Sequence, residues 1–453
     1  MRLPTACDDR HDSERTRGRR PAFSPVPGRR RAAAVAAVGL LVGLAGCGNG
    51  GSGTPAASAE SSSATTSSAA PTTTTASPSA SPSPSASGTT RKPPPPATST
   101  KPVPASCVDR AISGMSRAQQ VGQLFMSEVG STRMSTSQAA AITQGKVGSV
   151  FLMGHTSAGT AAVRKVTDQV RKLAPSVRGA DVGMLVATDQ EGGQVQVLGG
   201  PGFSPMPSAA DQGKWSDAKL QAEATTWGRQ LRSAGVTMNL APVADTVPPD
   251  LVNVNEPIGK LDRNFGTDPA TVAGHSDAFL RGMRQAGVVP SIKHFPGLGR
   301  VTGNTDLTAN VKDNVTTTTD PYLQPFRSGI QAGTPFVMVG SAIYTRIDAK
   351  NQADFSPAVM RTLLRGKLGF KGAIISDDIG AAVAVSDRSP AQRALDFIGA
   401  GGNVVLTVRP ADIVPMTSAV ISRMATDSAL RSSVDDSVRR VLTAKLNAGL
   451  LTC

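Results

Sequence analysis

The chain has 453 residues, enough for one large α/β barrel or two to three average domains, and a formal net charge of +14. Residues 1–46 hold nine arginines against four acids, and residues 48–106 two lysines and one arginine against one glutamate, so half of that charge lies outside the remaining sequence. No block of Lys or Arg with interleaved aromatics occurs, which leaves nucleic-acid binding unsupported. Beyond residue 46 only His155, His275 and His294 remain, none at a ligand-like spacing from a cysteine, which argues against a metal site.

At the N-terminus an arginine-rich lead precedes the apolar, alanine-rich run "AAAVAAVGLLVGLAGC", too short and too sharply ended for a stable membrane span. Residues 1–46 therefore read as a signal peptide. The run ends in Leu44-Ala45-Gly46-Cys47, similar to a bacterial lipobox, in which small residues admit the signal peptidase and the cysteine thiol takes the lipid. An ordinary secretory signal that happens to contain a cysteine is the alternative. Lipidation at Cys47 predicts a protein on the outer face of the cytoplasmic membrane, with some of it secreted, that meets the membrane through its acyl anchor alone. Residues 47–106 are nearly all Ser, Thr, Pro, Ala and Gly, with almost no large apolar side chains, and predict a disordered, extended spacer.

The folded part is expected over residues 107–453. Cys7 leaves with the leader and Cys47 is the lipid site, so Cys107 and Cys453, its first and last residues, remain as a candidate disulfide. Such a bond persists outside the membrane, and the ends of compact domains often lie close together. From here the pattern alternates short β-branched runs with longer amphipathic stretches. Candidate strands are "QLFMSEV" from Gln123, "VGSVFLM" from Val147, "GMLVATD" from Gly183, "TMNLAPV" from Thr237, "VVPSIKHF" from Val288, "PFVMVGSA" from Pro335, "GAIISDD" from Gly372 and "NVVLTV" from Asn403. Helical stretches such as "DAKLQAEATTWGRQLRSAG" separate them, several ending in Gly as helix C-termini prefer. Eight apolar strands alternating with helices predict a closed (β/α)8 barrel rather than an open sheet. No glycine-rich dinucleotide fingerprint follows any strand.

The active site of such a barrel forms where its strands end. There stand Asp189 and Glu191 in "VATDQEGG", Asp245 in "NLAPVADT", Lys293 and His294 in "SIKHFPG", and Asp377 and Asp378 in "IISDD". One carboxylate after a strand commonly caps the next helix. Several carboxylates with a lysine and a histidine on one rim are less expected of a structural barrel. They suit glycoside hydrolysis, in which one carboxylate meets the anomeric carbon and another protonates the leaving oxygen.

In order, "DQEGG", "APVAD", "DRNFG", "KHFPGLG" and "SDDIGA" resemble the motifs of the bacterial β-N-acetylglucosaminidases (β-hexosaminidases) of glycoside hydrolase family 3, from about Val121 to the C-terminus and in the single-domain form. The resemblance implies Asp377 as nucleophile, with Asp189, Arg263, Lys293 and His294 holding the sugar. Asp378 would point elsewhere on an extended backbone and take a supporting role. The implied reaction releases terminal β-linked N-acetylglucosamine from cell-wall saccharides or muropeptides with retention and without metal or organic cofactor; the expected partners are that carbohydrate and, through the lipid anchor alone, the membrane, and the expected state is a monomer. A sugar-binding wall lipoprotein of weak activity and a family 3 β-glycosidase of other specificity are the alternatives.

Two positions depart from the family pattern. Where an arginine is usual near the sugar, "DQEGGQVQV" offers Gln194, Gln196 and Val197. The usual loop after Lys-His runs to Asp-Ser/Thr-His, whose histidine is the acid/base. Here "KHFPGLGRVTGNTD" puts Asn304, Thr305 and Asp306 at those positions. Either Asp306 is itself the acid/base, with a pKa raised by burial or by Asp377, or the loop closes differently, or the barrel binds sugar without catalysis. The first is the expectation carried forward, and with it hydrolysis over phosphorolysis, because a carboxylate repels an incoming phosphate.

Overall fold

The computed structural model describes residues 106–453. The expected signal peptide, the lipidation site Cys47 and the spacer lie outside the described residues. Within them, no helix is long and apolar enough to cross a membrane.

Eight parallel strands close into a barrel: β1 (Phe125–Gly130), β2 (Ser149–Met153), β3 (Leu185–Thr188), β4 (Met238–Asn239), β5 (Val289–Phe295), β6 (Phe336–Val339), β7 (Ala373–Asp378) and β8 (Val404–Thr407). Each pairs with its sequence neighbours, and β8 returns to β1 with Phe125 opposite Val405. Every strand expected from the sequence is in it.

The strands are apolar on both faces because both faces are covered, and the side chains alternate between two cores. Met126, Phe151, Leu185, Ala187, Met238, Phe336, Met338, Ala373, Ile375, Val404 and Leu406 fill the barrel interior. Their neighbours Phe125, Val150, Leu152, Val186, Val337, Val339, Ile374 and Val405 face the surrounding helices. The inward series on β3 (Leu185, Ala187), β5 (Val289) and β7 (Ala373, Ile375) continues by twos to Asp189, Lys293 and Asp377. The strand period that packs the barrel thus also aims these three polar groups at its mouth.

The helices are set by local signals. Asp217–Ser233 begins at Ser216, whose side chain accepts from the Lys219 N–H. Pro269–Gln285 begins at Asp268, which accepts from Thr271 N–H, with Pro269 in the first turn, where its missing N–H costs nothing. These two helices pack closely at Gly282, where an added Cβ would lie 2.5 Å from the Gln221 carbonyl oxygen and 2.6 Å from Ala224 Cβ.

The closing helix, Ser428–Asn447, seals the end of the barrel opposite the site. Its Lys445 is wholly buried and donates to Gln123 Oε1 and to the Gly148 carbonyl, each at 2.7 Å. Burial pulls the Lys445 pKa down to about 7. Beyond the helix, Leu451–Thr452 pairs antiparallel with Asp181–Val182, and Cys453 is joined to Cys107.

Candidate active site

At the C-terminal ends of the strands lies a pocket of about 490 Å³. Phe151, Leu240, Met338 and Leu406 from the barrel give it an apolar floor, and Asp189, Arg263, Lys293, His294, Asp306 and Asp377 stand around it. All the residues assigned to catalysis or sugar contact from the sequence therefore meet in one cavity.

One wall is an ion cluster built on Glu191. Its Oε2 and Oε1 accept from Arg263 Nε and Nη2, both at 2.8 Å, and Oε1 also lies 2.6 Å from Lys293 Nζ. Lys293 donates in turn to Asp189 Oδ1 at 2.6 Å. Burial pushes the Glu191 pKa up, but Arg263 and Lys293 beside it prevail and hold it well below the carboxylate range. Burial likewise pulls Lys293 down, and Asp189 and Glu191 outweigh it, so the ammonium keeps its charge. The Asp189 side chain is 24% accessible against 3% for Lys293. Asp189 is thus the face this cluster turns to a ligand. The backbone reverses after it at Gly192, where φ is 113°, a conformation that favours glycine.

His294 is fixed from the other side. Its Nδ1 donates to Asp245 Oδ2 at 2.7 Å, and Asp245 Oδ1 accepts the backbone N–H groups of His294 (3.1 Å) and Leu298 (2.8 Å). With Nδ1 so committed, Nε2 faces Arg263 Nη2 at 3.5 Å. Glu191 and Asp245 stood on the rim in the sequence, but their tasks did not: one organises the cations, the other orients the imidazole. Position at a strand end was the only signal, and it does not name a partner.

On the opposite wall, Asp377 and Asp378 end β7 with different duties. Asp378 accepts from Gly380 N–H (2.9 Å), Val408 N–H (3.0 Å) and Ala381 N–H (3.0 Å), so its carboxylate is spent on the loop after β7 and the end of β8. Asp377 accepts one local bond, from the Asp378 N–H at 3.0 Å, and lines the pocket. Facing both is Asp306. Its loop is bonded to the loop after β7: Val383 N–H donates to the Asp306 carbonyl (3.2 Å) and Ala384 N–H to that of Thr305 (3.0 Å). Partial loss of water around the carboxyl within the pocket first, then the Asp377 and Asp378 charges, push the Asp306 pKa up to about 6, against the pull of His294 and Arg263, although the residue keeps an exposed side toward solvent.

Of the three residues at the other departure, Gln194 and Val197 line the pocket. Gln196 turns away to serve its own loop, donating to the Leu198 and Ser204 carbonyls and accepting from Met206 N–H. Among the described residues, no group of three or more His, Cys, Asp or Glu is arranged to hold a metal ion.

Residues 117–444 match the family described as Glycosyl hydrolase family 3 N terminal domain. This chain belongs to glycosyl hydrolase family 3. It is a glycoside hydrolase on the family's barrel. A β-hexosaminidase of Stenotrophomonas maltophilia is 35% identical over 279 residues, 58% of this chain and 78% of the relative. A β-hexosaminidase of Xylella fastidiosa is 32% identical over 311 residues, 67% of this chain and 88% of that protein. Among solved structures, the β-N-acetylhexosaminidase of Beutenbergia cavernae is 48% identical with a TM-score of 0.72, covering 73% of this chain and 98% of that one. The family 3 β-N-acetylglucosaminidase of a Paenibacillus species is 27% identical with a TM-score of 0.66, covering 74% of this chain and 63% of that one.

Proposed function

We propose that this family 3 enzyme is a β-N-acetylhexosaminidase that removes terminal non-reducing β-linked N-acetylglucosamine, and that its natural substrates are peptidoglycan-derived saccharides or muropeptides. The hexosaminidases among its relatives support the sugar. The envelope location expected from Cys47 supports the source.

One observation carries the mechanism: Asp377 and Asp306 line the same pocket close enough for the Asp377 charge to act on Asp306, whose pKa is pushed up to about 6. A general acid must hold a proton near the working pH, and the charge of a second carboxylate nearby is one way to keep it there. In the first step Asp377 attacks the anomeric carbon, the bond from that carbon to the leaving oxygen breaks, and the Asp306 proton passes to that oxygen. A covalent glycosyl ester on Asp377 results. Esterification removes the charge on Asp377, which lowers the proton affinity of Asp306 and suits it to act next as base. It then takes a proton from water as the water attacks the same carbon and frees Asp377, with net retention. Asp189, Lys293, Arg263 and His294 hold the sugar by its hydroxyls.

A chromogenic N-acetyl-β-glucosaminide tests this reading. The wild type is expected to cleave it to the β-anomer of the free sugar, and Asp377→Ala to lose at least about 1,000-fold in kcat. In phosphate buffer the product is expected to be the free sugar. Glycosyl phosphate as the main product would overturn the assignment of a carboxylate acid/base, and muropeptide binding without turnover would favour a wall-binding role.

A further inference from the structure

Near the end of the strand that carries Asp377 lies a carboxyl for which this chemistry has no use. Asp354 sits in the short turn Ala353–Phe355 and is wholly buried, as is Ser341, two residues beyond β6. Ser341 Oγ donates to Asp354 Oδ2. Oδ1, equally shielded from solvent, has no hydrogen-bond partner among the described residues. The carboxyl stands within electrostatic reach of the Asp377 backbone N–H and of the Asp377 and Asp378 side chains.

The same turn is tied to the other half of the catalytic pair. Gln352 Nε2 donates to the Ala384 carbonyl at 2.8 Å, and Ala384 N–H donates to the Thr305 carbonyl at 3.0 Å, one residue before Asp306. Ala353 N–H anchors the turn on the Ala342 carbonyl at 2.9 Å, next to Ser341. A continuous set of bonds thus runs from the end of β6 through the Asp354 turn to the Asp306 loop, with the Asp377 backbone beside it.

We propose that Asp354 is a positioning residue: with Ser341 it braces the end of β7 behind Asp377 and, through Gln352, sets the distance between Asp377 and Asp306. The proposal rests on the glycosidase reading above. Chemistry at two carboxylates depends on that spacing, because the leaving oxygen and the anomeric carbon must be reached together. The brace must also be uncharged, since another negative charge there would repel Asp377, Asp378 and Asp306. Burial first, and the charges of Asp377 and Asp378 with it, push the Asp354 pKa well above the ordinary carboxylate range, so the group keeps its proton.

The test compares the wild type with Asp354→Asn, Asp354→Ala and Ser341→Ala on whichever chromogenic β-glycoside of a panel the wild type cleaves, so that a wrong sugar assignment does not obscure the result. If the wild type cleaves none, the glycosidase reading fails, and the proposal fails with it. Circular dichroism and thermal melting establish that each variant is folded. Asp354→Asn, a neutral group of the same shape, is expected to keep kcat within about 3-fold and leave both limbs of the pH profile in place. Asp354→Ala is expected to lose about 10- to 100-fold in kcat with KM little changed. A folded Asp354→Ala with unchanged kcat would overturn the proposal, as would a pH limb displaced in Asp354→Asn. If Asp354→Ala does not fold, Ser341→Ala decides: a fall in kcat of about 5-fold or more at constant KM supports the brace, and an unchanged kcat overturns it.

Discussion

At the scale of single residues, the site divides its carboxylates by environment. Glu191, between Arg263 and Lys293, is locked in the ionised form, whereas Asp306, on the pocket wall beside the Asp377 and Asp378 charges, holds its proton to about pH 6. A folded Glu191→Gln variant leaves two buried cations with one carboxylate fewer. It is expected to lose roughly 3–5 kcal/mol of stability, read by denaturant unfolding, and to raise KM about 10-fold or more as Asp189 and Arg263 lose their settings. The acid/base assignment predicts a pH profile with a definite sign. The acid must be protonated in the free enzyme, so kcat/KM falls as pH rises through about 6, and Asp306→Asn removes that basic limb.

The residue types at the site were legible because they stand at strand ends in family-like motifs. Their pairings were not. Glu191 and Arg263 lie 72 residues apart and Asp245 and His294 49 apart, so only closure of the barrel brings them together. Asp354 gave no signal at all: "NQADFS" follows β6 in a loop, and the burial that makes its carboxyl unusual comes from elements elsewhere in the chain.

At the scale of elements, the barrel was legible for a physical reason. Strands covered on both faces must be apolar throughout, and eight such runs, from "QLFMSEV" to "NVVLTV", stood out against amphipathic helices. The same period of two predicts that Asp378 points away from the site, yet both Asp377 and Asp378 line the pocket, and what sets Asp378 apart is the three backbone amides its carboxylate serves. The closeness of the helix pair at Gly282 is less visible in sequence, because glycine inside a helix reads only as a weak point. Alanine has the higher helix propensity by roughly 1 kcal/mol. Even so, Gly282→Ala is expected to lower the melting temperature, because overpacking against the Gln221 carbonyl and Ala224, at about 3 kcal/mol for so close an approach, outweighs that gain. A rise in melting temperature would mean that the two helices separate at little cost.

For the molecule as a whole, the two ends of the barrel are built on opposite logic. One wall of the mouth compensates its charges, Glu191 and Asp189 against Arg263 and Lys293, whereas the far end holds one buried ammonium, Lys445, bonded to the neutral acceptors Gln123 Oε1 and the Gly148 carbonyl. Its pKa falls from 10.5 to about 7 on folding, so between these values the unfolded chain binds the proton and the folded one does not. Its contribution to stability therefore rises with pH from about 7 to 10.5 and is level outside that window. Melting temperatures of the wild type and Lys445→Met across this range check it: the wild type is expected to gain on the variant as pH rises, and parallel curves would show an ammonium whose affinity for protons is unaltered by folding.

The proposed mechanism places one unusual demand on the chain, that Asp306 do the work the family commonly gives to a histidine. The most direct measurement is kcat/KM for Asp306→Ala against a series of aryl N-acetyl-β-glucosaminides of graded leaving-group acidity, with and without azide. If Asp306 is the acid/base, activity is lost by about 100-fold or more with poor leaving groups and far less with good ones, and azide restores turnover by forming the β-glycosyl azide. A loss of equal size across the series, with no azide adduct, would contradict that role and return the proton transfer to another group in the pocket.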